Sequence, residues 1–87
     1  MGTPRKLTDN YIATLVDNEI VIIDMDGGQL FALKDTGRAI WELIDGRRSG
    51  AQIAQDLTEA YEVELAVAER SVDTLLGELG DAGLIAC

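Results

Sequence analysis

The 87-residue chain contains no histidine, and its single cysteine, Cys87, is the last residue. Without histidine it lacks the most frequent general base and the most frequent metal ligand of proteins. One cysteine excludes a disulfide within the chain and a Cys/His metal set. We therefore expect a protein that is not an enzyme, that carries no cofactor or metal, and that resides in a reduced, cytoplasmic setting.

Basic residues are also scarce, because seven lysines and arginines stand against sixteen aspartates and glutamates and the net charge is −9. Phosphate backbones and anionic membranes repel such a surface, so neither nucleic acid nor a membrane is an expected partner. No apolar run approaches the ~20 residues of a membrane-spanning helix, and the first residues lack the apolar stretch of a signal peptide. A basic or apolar peptide is a more plausible partner.

The first half of the chain has the pattern of β-strands. Residues 1–9 are polar and include the only proline, Pro4, which predicts a flexible N-terminal tail before a domain over residues 10–87. Runs rich in β-branched residues then predict three strands, with turns at Asp17-Asn18 and at Asp26-Gly27-Gly28. The expected strands lie near residues 10–17, 19–25 and 28–34.

After residue 34 the apolar residues recur at steps of three and four, which predicts three helices near residues 35–45, 49–61 and 65–82. Asp35 is expected to cap the first helix, and Ser49 with Gln52 forms a capping box for the second. Gly83 is expected to end the third helix. A three-stranded antiparallel sheet followed by three helices is an α+β domain, expected here as a monomer or weak dimer.

The acidic segment Ile22-Ile23-Asp24-Met25-Asp26-Gly27 imitates two functional motifs. It is similar to the nucleophile motif of aspartate-dependent phosphatases, but these need a parallel α/β sheet and further residues to hold magnesium. A calcium-binding loop starting at Asp24 would need glycine where Gln29 stands, and helices on both sides. We interpret the segment as an acidic hairpin turn.

Two further motifs are open to a functional interpretation. Arg47-Arg48 lies between two predicted helices, where DNA-binding helix-turn-helix proteins place phosphate contacts. The predicted helices 50–61 and 65–82 carry almost only acids, so a solvated turn is favoured and a winged-helix transcription regulator is the weaker alternative. Ser49 does not stand in the Asp-Ser-Leu motif of acyl carrier proteins, which are also helical throughout.

The third predicted strand, Gln29 to Leu33, carries no charge, proline or bulge signal. Edge strands usually have such protection, and an unguarded edge is where a guest peptide adds as an extra strand. The first strand, Tyr11 to Val16, is equally bare, so this pattern leaves both edges open. The second strand is apolar on both faces, and helices can cover only one. The other face is expected to be covered by a dimer mate or a partner enzyme.

Several segments resemble the PqqD-like family, and the similarity covers about residues 11–85. They are residues 28–33, residues 36–46, Ile53-Ala54 with Leu57, Tyr61-Glu62-Val63, and residues 79–85. The resemblance implies a winged helix-turn-helix domain over residues 10–87 that acts as a recognition element for ribosomally synthesised and post-translationally modified peptides (RiPPs). Such a domain binds the leader of a precursor peptide and delivers it to a leader peptidase, cyclase or radical enzyme, as in lasso-peptide biosynthesis.

The same resemblance implies, as an alternative, a peptide chaperone in the biosynthesis of pyrroloquinoline quinone (PQQ). It also implies the location of the peptide groove, on the third strand and the third helix. Carried over by position, the groove residues are Gln29, Leu30, Phe31, Ala32 and Leu33 with Glu69, Val72, Asp73 and Leu76. The chain departs from the family at Leu30, where aromatic residues are frequent, and at Lys34, where asparagine is frequent.

Overall fold

The computed structural model describes residues 3–86, and Cys87 lies outside this range. Its strands and helices are β1 (Arg5–Lys6), β2 (Tyr11–Val16), β3 (Glu19–Asp24), β4 (Leu30–Leu33), α1 (Thr36–Leu43), α2 (Gly50–Ala60), α3 (Leu65–Asp81) and β5 (Ile85–Ala86). Strands β2, β3 and β4 form an antiparallel sheet in that order. The expected winged helix-turn-helix order of three strands and three helices is confirmed, with bounds that differ by at most two residues.

Both turns of the sheet follow from their residue types. Asp17 and Asn18 join β2 to β3 with φ values of 50° and 67°, which gives a two-residue turn whose twist matches that of the strands. In the second turn the Asp24 carboxylate accepts hydrogen bonds from the backbone N–H groups of Asp26 and Gly27, at 3.0 and 3.1 Å. The acidic segment is therefore a hairpin turn, and Asp24 stabilises it.

The N-terminal segment differs from the flexible tail that its polar composition predicts. Strand β1 pairs with β5 in an antiparallel two-stranded sheet, and Pro4 is fully buried. The Thr3 hydroxyl donates a hydrogen bond to the carbonyl of Gly46 at 2.7 Å, and the Lys6 ammonium lies 4.5 Å from the centre of the Trp41 ring. The N-terminal segment is ordered because β1 pairs with β5 at the other end of the sequence. No local sequence pattern predicts this pairing.

The helix ends agree with the predicted caps at two places and differ at a third. The Ser49 side chain accepts from the Gln52 N–H, and the Gln52 side chain accepts from the Ser49 N–H, which is the predicted capping box. Gly83 has a φ of 77° just after α3, and Leu84 behind it is fully buried. The predicted Asp35 cap is wrong: Asp35 has a φ of 53° and makes no side-chain cap bond, because the chain reverses there between β4 and α1.

The core fills the space between one face of the sheet and the three helices. Ile22 on the central strand is fully buried, and the Tyr11 ring packs edge-on against Trp41 with 5.2 Å between ring centres. The other core side chains are Ile40, Ile44, Ile53, Ala54, Leu57, Ala68, Val72, Leu75, Leu79, Leu84 and Ile85. Burying a large aliphatic side chain contributes roughly 1.5–3 kcal/mol, so an aliphatic core suffices without a disulfide or metal.

Candidate peptide-binding site

The sheet has two free edges, one on β2 and one on β4. One hydrogen bond shows which backbone groups of β4 face β3. The Asp24 N–H donates to the carbonyl of Gln29 at 2.9 Å, so Asp24 and Gln29 form a hydrogen-bonded pair of the antiparallel ladder. Since antiparallel pairs alternate between bonded and non-bonded residues, Phe31 pairs with β3 while the N–H and C=O groups of Leu30 and Ala32 point outward. These outward groups are the ones that an added strand would use.

A groove runs between the free edge of β4 and helix α3. At one end a cavity of about 340 Å³ is lined by Gln29, Phe31, Glu78, Asp81 and Ala82. At the other end a cavity of about 350 Å³ is bounded by α1 and α3, and its lining residues are Thr36, Gly37, Ile40, Arg70, Ser71, Thr74, Leu75 and Glu78. Glu78 lines both cavities, so the two lie next to each other along α3, and we call them together the groove.

The edge of β2 has no comparable second wall. Ala13 and Leu15 belong to the same face of the sheet as the buried Ile22, yet both are exposed, Leu15 by 56%. On β4, in contrast, Phe31 and Leu33 are half-buried against the core. Among these residues the helical layer covers Phe31 and Leu33 of β4, whereas on β2 it reaches only Tyr11, and this favours the β4 edge of the two that the sequence left open.

The five predicted groove residues from Gln29 to Leu33, four of which form β4, make up a strand edge with two faces. Gln29 and Phe31 line the groove. Leu33 also points to the helical side, where its Cδ2 lies 3.8 Å from an ideal Cβ at Gly37. Leu30 and Ala32 offer their backbone to the edge, and their side chains are exposed on the opposite face of the sheet.

The four predicted residues on α3 line neither cavity of the groove. Val72 is 1% exposed and Leu76 is half-buried, and both face α2. An ideal Cβ at Gly50 would lie 3.8 Å from Val72 Cγ1 and 3.5 Å from Leu76 Cδ1. Glu69 and Asp73 are exposed and absent from the groove lining.

The helical period explains why these four residues lie away from the groove. At about 100° per residue, positions 76 and 78 differ by roughly 200° around the helix. The groove residues of α3 therefore occupy the opposite flank of its buried stripe. The sequence defines the stripe, but either flank could border the sheet. The polar and acidic residues that do line the groove, including Ser71, Thr74, Glu78 and Asp81, escaped the prediction for this reason.

The charge of the groove is uneven. Glu78 and Asp81, one turn apart, line the end beside Gln29, while Arg70 lines the other end. Between them the floor is apolar, through Leu75 and the neighbouring Ile40 of α1. The arrangement suits an extended peptide with apolar side chains in the middle and a basic side chain near the acidic end.

Of the two arginines between α1 and α2, Arg48 is paired with acidic side chains of the same chain, and Arg47 is exposed. The Arg48 guanidinium lies 2.7 Å from the Asp45 carboxylate and 2.9 Å from that of Asp56. Backbone N–H groups of Arg47 and Arg48 donate to Asp45 and lower its pKa from the ordinary value. This network favours the solvated turn over a phosphate-binding site.

Within residues 3–86, no three His, Cys, Asp or Glu side chains are grouped so that they could hold a metal ion. None of the helices in that part of the chain has the length and apolar character needed to cross a membrane. The groove beside β4 combines a free strand edge with adjoining cavities, which is the geometry of a site for an extended peptide.

Family membership follows from a comparison with known protein families. Residues 19–85 match the model of the family described as coenzyme PQQ synthesis protein D, PqqD. The match spans most of the chain, from β3 through β5, and includes both walls of the groove. The chain belongs to the PqqD family. No curated protein matches it.

Solved structures share the fold over almost the full chain. A lasso peptide synthetase B1 complexed with a leader peptide is 29% identical, with a TM-score of 0.82, covering 98% of this chain and 99% of its own. TbiB1 in complex with the TbiA(beta) leader peptide is 25% identical, with a TM-score of 0.79 and coverage of 92% and 93%. The PqqD truncation of Methylobacterium extorquens PqqCD, a stand-alone RiPP recognition element, is 26% identical, with a TM-score of 0.75 and coverage of 97% and 88%.

Proposed function

We propose that this chain is a RiPP recognition element, which binds the leader segment of a ribosomally synthesised precursor peptide and delivers the peptide to a modifying enzyme. The observation that carries the proposal is the groove between the free edge of β4 and α3. Membership of the PqqD family supports it. So does the similarity to two B1 proteins that are described as complexes with leader peptides.

The leader binds by adding a strand to the sheet, antiparallel to β4. Its backbone takes the outward N–H and C=O groups of Leu30 and Ala32. Every second leader side chain then enters the groove, where Phe31 and the α3 residue Leu75 offer apolar contacts. Main-chain hydrogen bonds supply affinity in this mode of recognition, and the pockets for alternate side chains supply specificity.

The chain itself performs no chemistry in this proposal. Its serine, threonine and tyrosine hydroxyls have no histidine to activate them. The chemical steps belong to the partner, a leader peptidase, cyclase or radical enzyme, and the setting is cytoplasmic. Incubating the purified chain with a precursor peptide should leave the mass of the peptide unchanged.

A second pathway has support of its own. The description of the matching family points to PQQ biosynthesis, in which the chain would act as a peptide chaperone. The lasso peptide synthetase B1, with 29% identity and a TM-score of 0.82 against 26% and 0.75 for the PqqD truncation, favours the lasso-peptide type. The affinities for the leader of a PQQ precursor and for the leader of a lasso precursor, measured side by side, distinguish the two.

Two neighbouring residues of α3 provide a sharp test of the groove. Thr74 lines it, whereas Asp73 is exposed on the other flank of the helix. A labelled leader of the precursor encoded next to this chain's gene would be titrated into the wild type, Thr74→Trp and Asp73→Trp, and its fluorescence anisotropy followed. Thr74→Trp should fill the groove and weaken binding at least roughly ten-fold, while Asp73→Trp should bind like the wild type.

Circular dichroism first confirms that both variants are folded. Loss of binding in Asp73→Trp, with Thr74→Trp unaffected, would place the leader on the flank that the sequence predicted. Binding that is unchanged in both variants would exclude the groove as the leader site.

A further inference from the structure

The face of the sheet opposite the helices is apolar and uncovered. The pairing of β2 with β3 and of β3 with β4 places Ile12, Ile23 and Leu30 side by side in one row across the three strands. Their exposed fractions are 58%, 41% and 60%. The next row, Thr14, Val21 and Ala32, contains no charge either. We call these six residues the outer face.

An antiparallel sheet with one solvated face normally alternates apolar and polar residues. Here β3 is apolar on both sides, because Ile22 enters the core while Val21 and Ile23 belong to the outer face. A contiguous exposed apolar patch of this kind marks an interaction surface. The outer face is therefore a candidate surface for binding another protein.

The charges at the ends of the outer face indicate what covers it. Asp17 and Glu19 lie at one end together with Lys34, and Asp26 lies at the other end. Arg38 donates to the carbonyl of Asn18 near the first end, but its charge is paired with Glu42, so that end stays net acidic. If two copies stacked face to face, either orientation would set a net acidic end against a net acidic end. The net charge of −9 per chain adds to that repulsion. A second copy is disfavoured, and a partner with an apolar centre and basic ends is complementary.

We propose that the outer face is the docking surface for the peptide-modifying enzyme, and that the enzyme presents an apolar patch flanked by lysine or arginine. The proposal rests on the proposed function. Leu30 and Ala32 connect the two surfaces, because their side chains belong to the outer face while their backbone groups form the edge that receives the leader. An enzyme seated on this face contacts the added leader strand directly and holds the precursor next to its own active site.

The test separates enzyme docking from leader binding. The double variant Ile12→Thr/Ile23→Thr removes apolar surface while keeping β-branched residues that favour strands. Leu15→Thr is the matched control, because Leu15 is 56% exposed on β2 but belongs to the opposite face. The probe is the purified modifying enzyme encoded in the same gene cluster, immobilised for surface plasmon resonance. Leader affinity is measured separately by anisotropy, and oligomeric state by analytical ultracentrifugation.

The double variant should bind the enzyme at least roughly ten-fold more weakly, with leader affinity unchanged, and Leu15→Thr should bind both normally. Neutralising one end through Asp17→Asn/Glu19→Gln should slow association with the enzyme and reduce its dependence on salt. Enzyme binding that is unaffected by the double variant, or absent in the wild type, overturns the proposal. So does a wild-type dimer that the double variant dissociates, which would assign the face to a second copy. Loss of leader binding by Thr74→Trp is a separate result and tests the groove alone.

Discussion

Replacing Ala32 with proline removes one backbone N–H from the free edge of β4 and leaves the pairing of β3 with β4 intact. The Ala32 N–H points away from β3, and its side chain is exposed, so little packing is lost. Proline holds φ near about −65° and is tolerated on edge strands whose N–H faces outward. The variant should therefore fold, with a melting temperature close to that of the wild type.

The expected loss of leader affinity follows from that single N–H. The leader loses one hydrogen bond, and its carbonyl buried against Ala32 is left without a donor, which costs about 1–3 kcal/mol in total. Since 1.4 kcal/mol corresponds to a factor of ten in Kd, binding should weaken roughly 5- to 100-fold.

The matched control is Ala13→Pro on the opposite edge. The Met25 N–H donates to the carbonyl of Asn10 at 3.0 Å. Because hydrogen-bonded and non-bonded pairs alternate along β2 from this point, the Ala13 N–H also points outward, away from β3. The Ala13 side chain is exposed, so its replacement removes little packing. Proline at Tyr11 would instead remove the packing of that ring on Trp41. Titration of a labelled leader should show weaker binding for Ala32→Pro alone. If Ala13→Pro abolished binding and Ala32→Pro did not, the leader would pair with β2 and the reasoning would be refuted.

Three smaller predictions concern charge and stability. Glu78→Gln/Asp81→Asn should weaken binding of a leader that carries lysine or arginine by up to roughly five-fold and flatten its salt dependence, measured by titration at several salt concentrations. The pKa of Asp45 is lowered by backbone hydrogen bonds from the following turn. Its contribution to stability is therefore present above pH ~4 and is lost as the pH falls through the folded-state pKa. On acidification, the melting temperature of Asp45→Asn should fall less than that of the wild type. Gly77 lies within α3 and an added Cβ meets no atom within 4 Å, so Gly77→Ala should stabilise the fold by about 0.5–1 kcal/mol in denaturant unfolding.

Features that depend on neighbouring residues could be predicted from the sequence. The β-branched runs and the Asp17-Asn18 pair indicate the meander, because both act over a few residues. The same holds for the capping box of Ser49 with Gln52 and for the end of α3 at Gly83. An unguarded strand is visible in the composition of β4, but β2 is equally bare, so the prediction of the β4 edge comes from the family resemblance and not from composition.

Features that depend on distant residues could not be predicted in this way. Nothing in the polar segment around Pro4 indicates that it pairs with the strand formed by Ile85 and Ala86. The backbone of Asp35 is determined by the reversal between β4 and α1 and not by its own capping tendency. The groove side of α3 depends on where the sheet packs, which the helical period leaves open, so the period alone does not separate Leu76 from Glu78.

Amide hydrogen exchange of the isotope-labelled chain, followed by NMR with and without the leader, tests the central claim most directly. In the free chain the outward N–H groups of Leu30 and Ala32 have no partner strand and should exchange fast. On addition of the leader these two amides should become protected, while those of Ala13 and Leu15 on β2 should keep their rates. Protection of the β2 amides, with Leu30 and Ala32 unchanged, would contradict the account.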